Sequence, residues 1–187
     1  MNVMVLSGSR SPAGQTARAA GALLEGLRAG GGEGEAVFLP AMRVERCRQC
    51  DEAGWGDCRA KGCCVIEDDF AGLVERLRGS DAAVFANPVY FGDLSESLRA
   101  FLDRLRRITR HEAGKAGIAG KPAVGVCVAG GGGGGAPSCS ASLEKVLATC
   151  GFDVVDMVPA RRQNLPMKLD VLRVVGRWLA GRPSSQS

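Results

Sequence analysis

Apolar and polar positions along this chain alternate between two periods. Val3–Leu6 is a short unbroken apolar run, and beyond Ala20 the residues Leu23, Leu24 and Leu27 recur at the helical spacing. The same alternation continues to the end of the chain. Residues 35–39 read as strand two, and Phe70, Leu73, Val74 and Leu77 as the next helical face, with Asp68 and Asp69 ahead of it as an N-cap. Residues 82–86 read as strand three. Asp93 and Glu96 are spaced like a capping box before the helical face Leu98, Phe101, Leu102 and Leu105. Residues 123–129 read as strand four, Leu143, Val146, Leu147 and Cys150 as a helical face, and residues 152–158 as strand five. A last helix is predicted around Val171, Val174, Val175 and Trp178.

Near-continuous apolar strands between amphipathic helices predict an α/β fold, a parallel sheet covered on both faces. Five strands fit the doubly wound, flavodoxin-like order 2-1-3-4-5 in three layers. Ligands of such sheets sit beyond the carboxyl ends of the strands, near the point where the order reverses. The pattern predicts one domain over 1–180, carrying a cysteine-rich insertion at 45–66, and a polar tail at 181–187.

Composition narrows the partners. A chain of 187 residues buries about 70% of its unfolded surface without needing disulfides. The net charge of +4 is mild, and no Lys/Arg run exceeds Arg106-Arg107, so nucleic acid is not indicated. The N-terminal stretch lacks the basic and apolar regions of a signal peptide, and no apolar run reaches membrane-spanning length. The expectation is a cytoplasmic protein whose thiols stay reduced.

Three loops are then the places to look. The first, "SGSRSPAGQT" (7–16), runs small and hydroxyl residues into a helix N-terminus, where free N–H groups and the dipole favour an anion. Ser9, Ser11 and Thr16 can add hydroxyls and Arg10 a charge. It is neither a Walker A loop nor a G-x-G-x-x-G turn. An ordinary capped turn would leave the same residues, so spacing alone does not decide. The second loop, "NPVYFGD" (87–93), offers a rigid proline turn, backbone donors and two aromatics. The third is six glycines, Gly130–Gly135, able to approach a ligand closely but costly to order.

Together, "SGSRSPAGQT" and "NPVYFGDLSESLRAFLDRL" (87–105) resemble the flavodoxin-like NAD(P)H-dependent FMN reductase family. That family carries a G-S-P-R-x-x-G-N-T type phosphate loop and an S-P-V-Y-F-G-N type flavin loop. This chain departs from it at Arg10-Ser11 and at Gln15, where hydrogen-bonding capacity is kept. The resemblance implies that Ser9, Arg10, Ser11, Gln15 and Thr16 hold the FMN phosphate. It also implies that Pro88, Val89, Tyr90, Phe91 and Gly92 line the isoalloxazine ring and that Gly130 and Gly131 pass its pyrimidine end. It further implies a homodimer or homotetramer, with Tyr90 and Phe91 near the subunit interface.

Five of the eight cysteines fall within Cys47–Cys64. In a reduced compartment such crowding points to metal or redox chemistry rather than a disulfide staple. The iron–sulfur flavoproteins, a branch of the resembled family, carry a compact cysteine motif here, ending before a V-I-x-D-D stretch like residues 65–69. The resemblance assigns Cys47, Cys50, Cys58 and Cys64 to a four-iron, four-sulfur cluster and leaves Cys63 spare. The departure is the seven-residue gap 51–57, where the family has two. Unliganded thiols come next, and tetrahedral zinc, which four thiolates also suit, after them. Cys127 and Cys150 read as core thiols, and Cys139 as a weak candidate for a reactive one.

No nucleophile system is legible. The one histidine, His111, lies in the basic loop 106–115 and reads as a solvated residue, while helix capping accounts for Asp68 and Asp69 better than acid catalysis does. No catalytic side chain is assigned; the chemistry belongs to a cofactor. The resemblance then implies that this cofactor is FMN and that the protein is an FMN-dependent oxidoreductase. It would pass electrons from NAD(P)H or the cluster to a quinone, flavin or other small acceptor, or to a redox protein. The alternatives are an electron carrier between protein partners and a non-catalytic flavin- or zinc-binding module.

Overall fold

The computed structural model describes residues 1–182; the rest of the polar tail, 183–187, lies outside the described residues. Five parallel strands, β1 (Asn2–Ser7), β2 (Glu33–Phe38), β3 (Ala82–Pro88), β4 (Pro122–Ala129) and β5 (Asp153–Arg161), form one sheet in the order β2-β1-β3-β4-β5. The helices are α1 (Gln15–Ala29), the short α2 (Asp57–Ala60), α3 (Phe70–Gly79), α4 (Glu96–Thr109), the short α5 (Glu112–Lys115), α6 (Ala136–Cys150) and α7 (Leu165–Ala180). This is the expected flavodoxin-like architecture.

The pleat divides the core in two. Val3 and Val5 face α1 and α7, packing with Leu23, Leu27, Leu172 and Leu179. Met4 and Leu6 face the other way, onto Phe70, Phe101, Leu105 and Leu147 from α3, α4 and α6. Because both faces are buried, a one-residue slip would exchange two packed sets, and the register Val5↔Ala36 and Val5↔Val84 is pinned. Strand β5 runs past its expected end, through Pro159 to Arg161. It is an edge strand paired only with β4, so a proline lacking an N–H is tolerated there.

Two local expectations are corrected. The capping box at Asp93 and Glu96 does not form. Ser95 is the N-cap residue of α4, and its N–H donates to Asn87 Oδ1 at 2.9 Å, while Asp93 pairs with Arg99 at 2.5 Å. On α7, Val175 is buried as read, but Val174 and Trp178 are about half exposed, and the inner face is Leu172, Val175, Gly176 and Leu179. The cause is the close approach of α1 and α7. A Cβ on Gly26 would run into the Arg173 carbonyl, and one on Gly176 into the Leu23 carbonyl. That glycine contact sets the rotation of α7.

Candidate functional site

The loops after β1, β3 and β4 converge on a cleft of about 500 Å³ at the carboxyl ends of the strands, a volume suited to a small-molecule cofactor. Ser9, Gln15 and Thr16 line it from the first loop, Pro88, Val89 and Tyr90 from the second, and Gly130 and Gly131 from the third. Val128, Ala129 and Gly134 complete the wall. The sequence reading did not single out Val128 and Ala129, because a strand end carries no side-chain signal; Gly134 lies within the glycine run it named.

The first loop is organised around a buried hydroxyl. Ser9 Oγ donates to the Ser11 carbonyl and accepts from the Ser11 N–H, each at 3.3 Å. Gly14 is the N-cap of α1 and supplies no side-chain cap, so the leading N–H groups of the helix are left to a ligand. Thr16 is buried beside them, and Gln15 Oε1 is buried with no partner. These are the marks of a cradle for an anion and its neighbouring hydroxyls.

In the second loop the Val89 N–H donates to the Val128 carbonyl at 3.0 Å, extending the β3–β4 pairing. Tyr90 and Asp93 then exchange backbone hydrogen bonds at 3.1 and 3.0 Å. Between them Phe91 (φ +51°) and Gly92 (φ +79°) both occupy the left-handed region, the signature of a type I′ turn. Placing phenylalanine there costs about 1–2 kcal/mol. The turn points the Phe91 side chain fully into solvent. Phe91 and Arg10 line a second cleft of about 670 Å³, and Tyr90 borders both. Ser11, exposed and bonded to Ser9 through its backbone, and Gly92, packed against Gly135, do not line the first cleft.

Asn87 locks the turn from beneath, donating from Nδ2 to the Pro88 carbonyl at 2.8 Å and to Cys139 Sγ at 3.2 Å. Cys139 is sealed in the first turn of α6, its thiol held low by a hydrogen bond from Cys127, against the effect of burial, and by Asn87. Cys127 is pushed up by the same bond and by burial. Burial lifts Cys150 to about 12. The glycine loop is tied from outside, where Gln163 Nε2 donates to the Gly132 carbonyl at 3.1 Å.

The cysteine segment forms a separate site. Cys47, Cys50, Cys58 and Cys64 line one pocket against α4, whereas Cys63 is exposed and does not line it. Asp51 shapes the segment by accepting the Trp55 and Gly56 N–H groups at 2.8 Å each, which hold its carboxyl low. Cys58 donates to the Trp55 carbonyl, and burial pushes its thiol up against the pull of Arg107. Among the described residues no three His, Cys, Asp or Glu side chains come together as a metal-ion site. A four-iron cluster spreads its thiolates wider, because each binds a different iron. The pocket holds about 20 Å³, little more than one water, so seating a cluster requires the segment to move away from α4.

The wall of that pocket is cationic. Arg104 and Arg107 line it from α4, and the Nε–H of each is buried with no partner. Four thiols and two guanidinium groups thus line one pocket. Arg104 pairs with Asp68 inside the protein, side chains 1% and 0% exposed, through Nη1–Oδ2 at 2.6 Å and Nη2–Oδ1 at 3.0 Å. Burial pushes the Asp68 carboxyl up, but Arg104 and the Glu45 and Phe70 N–H groups outweigh it and hold it low. Asp69 is the N-cap residue of α3 but makes no side-chain cap, accepting the Arg43 N–H at 2.7 Å instead, while Asp68 just ahead of it accepts the Phe70 N–H at 3.2 Å. The buried pair escaped the sequence reading, since 36 positions separate its members.

Residues 1–163 match the model of the NADPH-dependent FMN reductase family. An iron–sulfur flavoprotein of Methanosarcina thermophila is 34% identical over 104 residues, 56% of this chain and 52% of its own. Another, from Archaeoglobus fulgidus, is 31% identical over 105 residues, 56% of this chain and 46% of its own. The matched region thus spans about half the length of these curated relatives. Among solved structures, an NAD(P)H:quinone oxidoreductase from Methanothermobacter marburgensis superposes with a TM-score of 0.72 at 24% identity, covering 100% of this chain and 99% of that one; this likeness is one of fold. No helix among the described residues is long and apolar enough to cross a membrane.

Proposed function

Because the chain belongs to the NADPH-dependent FMN reductase family, we propose that it is an oxidoreductase with FMN in the cleft at the carboxyl ends of β1, β3 and β4 and a four-iron, four-sulfur cluster on Cys47, Cys50, Cys58 and Cys64. Held there, FMN would supply hydride and electron chemistry, with NAD(P)H or the cluster as donor and a quinone, flavin or other small molecule as acceptor. The observation that carries this reading is the convergence of three loops on one cleft whose phosphate end has uncapped helix N–H groups and buried Thr16, with the unpartnered Gln15 Oε1 beside them able to accept from a ligand hydroxyl.

Each loop has a separate task. The α1 N-terminus with Ser9, Gln15 and Thr16 binds and fixes the phosphate end. Pro88 and Val89 present rigid backbone to the ring, and Tyr90 screens one edge from water. The glycine loop brings N–H and C=O groups close without side-chain bulk. The strained, exposed Phe91 is suited to a neighbouring copy of the chain, where covering it would offset its cost. An electron acceptor would enter through the open side near Tyr90.

Purified protein should bind FMN one to one and oxidise NAD(P)H in the steady state with a quinone or free flavin as acceptor. Tight FMN binding with no turnover for any small acceptor would instead favour the electron-carrier reading. Absence of FMN binding would remove both.

A further inference from the structure

Helix α7 carries an exposed apolar stripe. Met167, Val174 and Trp178 are 52%, 55% and 47% exposed, and Val171 among them is half-buried. At about 100° per residue the four side chains fall within about 60° of the helix circumference, opposite the buried face of Leu172, Gly176 and Leu179. Arg182 lies 4.8 Å over the Trp178 ring and still leaves that side chain half exposed. Single apolar side chains on a surface need no explanation, but a file of four along one helix marks a contact.

The sequence of the stripe says what the contact is. Its members are separated by four, three and four positions, a spacing that reads the same in both directions. The helix therefore matches itself when laid antiparallel on a second copy, about a two-fold axis level with residues 172 and 173. Met167 then meets the partner's Trp178, and Val171 the partner's Val174. The charges beside the stripe agree. Asp170 and Arg177 lie on the same flank; Asp170 accepts from Arg173 at 2.8 Å yet stays 81% exposed, and among the described residues Arg177 makes no ion pair. The two-fold axis sets this flank against its own copy, with Asp170 about 3 Å along the helix axis from the partner's Arg177. Arg173, the third charge on that side, is already held by Glu25 at 2.9 Å and by Asp170.

We propose that the outer face of α7 is a self-association surface, on which two copies of this chain pair antiparallel through Met167, Val171, Val174 and Trp178, with reciprocal Asp170–Arg177 ion pairs at the rim. The stripe is smaller than the roughly 800 Å² a side of a standard interface, so the association is weak, with a Kd of about 1–100 μM. It lies on the sheet face that α7 shares with α1, away from the Phe91 turn, and involves neither the FMN cleft nor the cysteine segment. It stands whether or not the functional reading above does.

The test is sedimentation equilibrium of the full-length protein across the micromolar range, on the wild type and on Phe91→Ser, which removes any contact made by the turn. In both, the mass should double with concentration. Val174→Asp sits at an exposed position and places two like charges beside the axis, so it should raise the Kd at least about tenfold. Asp170→Arg and Arg177→Asp should each weaken association, and the double exchange, which restores the cross-pairs, should bring the Kd back toward the wild-type value. A mass that stays constant with concentration in the wild type overturns the proposal and leaves the stripe to another occupant. So does association that Val174→Asp leaves unmoved, or a double exchange that associates no better than the single variants.

Discussion

Gly92 and Gly135 meet backbone to backbone: a Cβ on Gly135 would stand 2.6 Å from the Gly92 Cα. The contact joins the turn after β3 to the end of the glycine loop, and Ser138 Oγ reinforces it by donating to the Gly92 carbonyl at 3.1 Å. The two loops around the cleft therefore hold each other in place.

Gly135 also has φ +80°, where a side chain is strained in any surroundings. Gly135→Ala should cost about 2 kcal/mol or more from the left-handed penalty and the clash combined, and should weaken FMN binding. Gly132→Ala, at a position with ordinary φ and open space, should cost about 1 kcal/mol or less. Thermal melts with and without FMN check both; equal losses would mean that the contact is not what matters.

Thr16 and Arg10 separate the two clefts. Thr16 is buried in the first, while Arg10 is exposed and lines the second. Thr16→Val removes a hydroxyl beside the proposed phosphate site and should weaken FMN about tenfold, given about 1.5–3 kcal/mol for a hydrogen bond to a charged group. Arg10→Ala should weaken it less. A fluorescence titration decides, and the reverse ranking would place the phosphate on the Arg10 side.

The Asp68–Arg104 pair predicts acid sensitivity. The folded carboxyl is held below its ordinary value, so as pH falls the unfolded chain takes up that proton first. The pair's contribution is thus present above about pH 4 and is lost as pH drops through the lower folded value. Asp68→Asn should remove this part of the acid dependence and cost about 3–5 kcal/mol at neutral pH, since it leaves a buried guanidinium unpaired. Urea unfolding across the acid range measures it; a wild-type slope in the variant would show that other carboxylates dominate.

The sheet order and the faces of α3 and α4 were legible because the 2.0 and 3.6 periods are local and both sheet faces are buried. Leu98, Phe101, Leu102 and Leu105 are all buried as read. The face of α7 was not, because Gly26 and Gly176 fix its rotation from 150 positions apart. At the cleft, Ser9, Gln15, Thr16, Pro88 and Val89 stand together because a strand-end motif is short and contiguous. Phe91 turns away because a type I′ turn with phenylalanine at its first centre is not what its residue type favours. Arg104 gave no local sign of burial; its partner arrives from the segment ahead of α3.

The most direct measurement is iron, acid-labile sulfide and FMN per chain in protein purified without oxygen, for the wild type and the variants Cys64→Ala and Cys63→Ala. The account predicts about four irons with one FMN in the wild type. Cys64→Ala should lose most of the iron and keep FMN, whose cleft is built from other loops, and Cys63→Ala should keep both. Flavin without iron in the wild type, or iron that survives loss of Cys64 and disappears with Cys63, would contradict it.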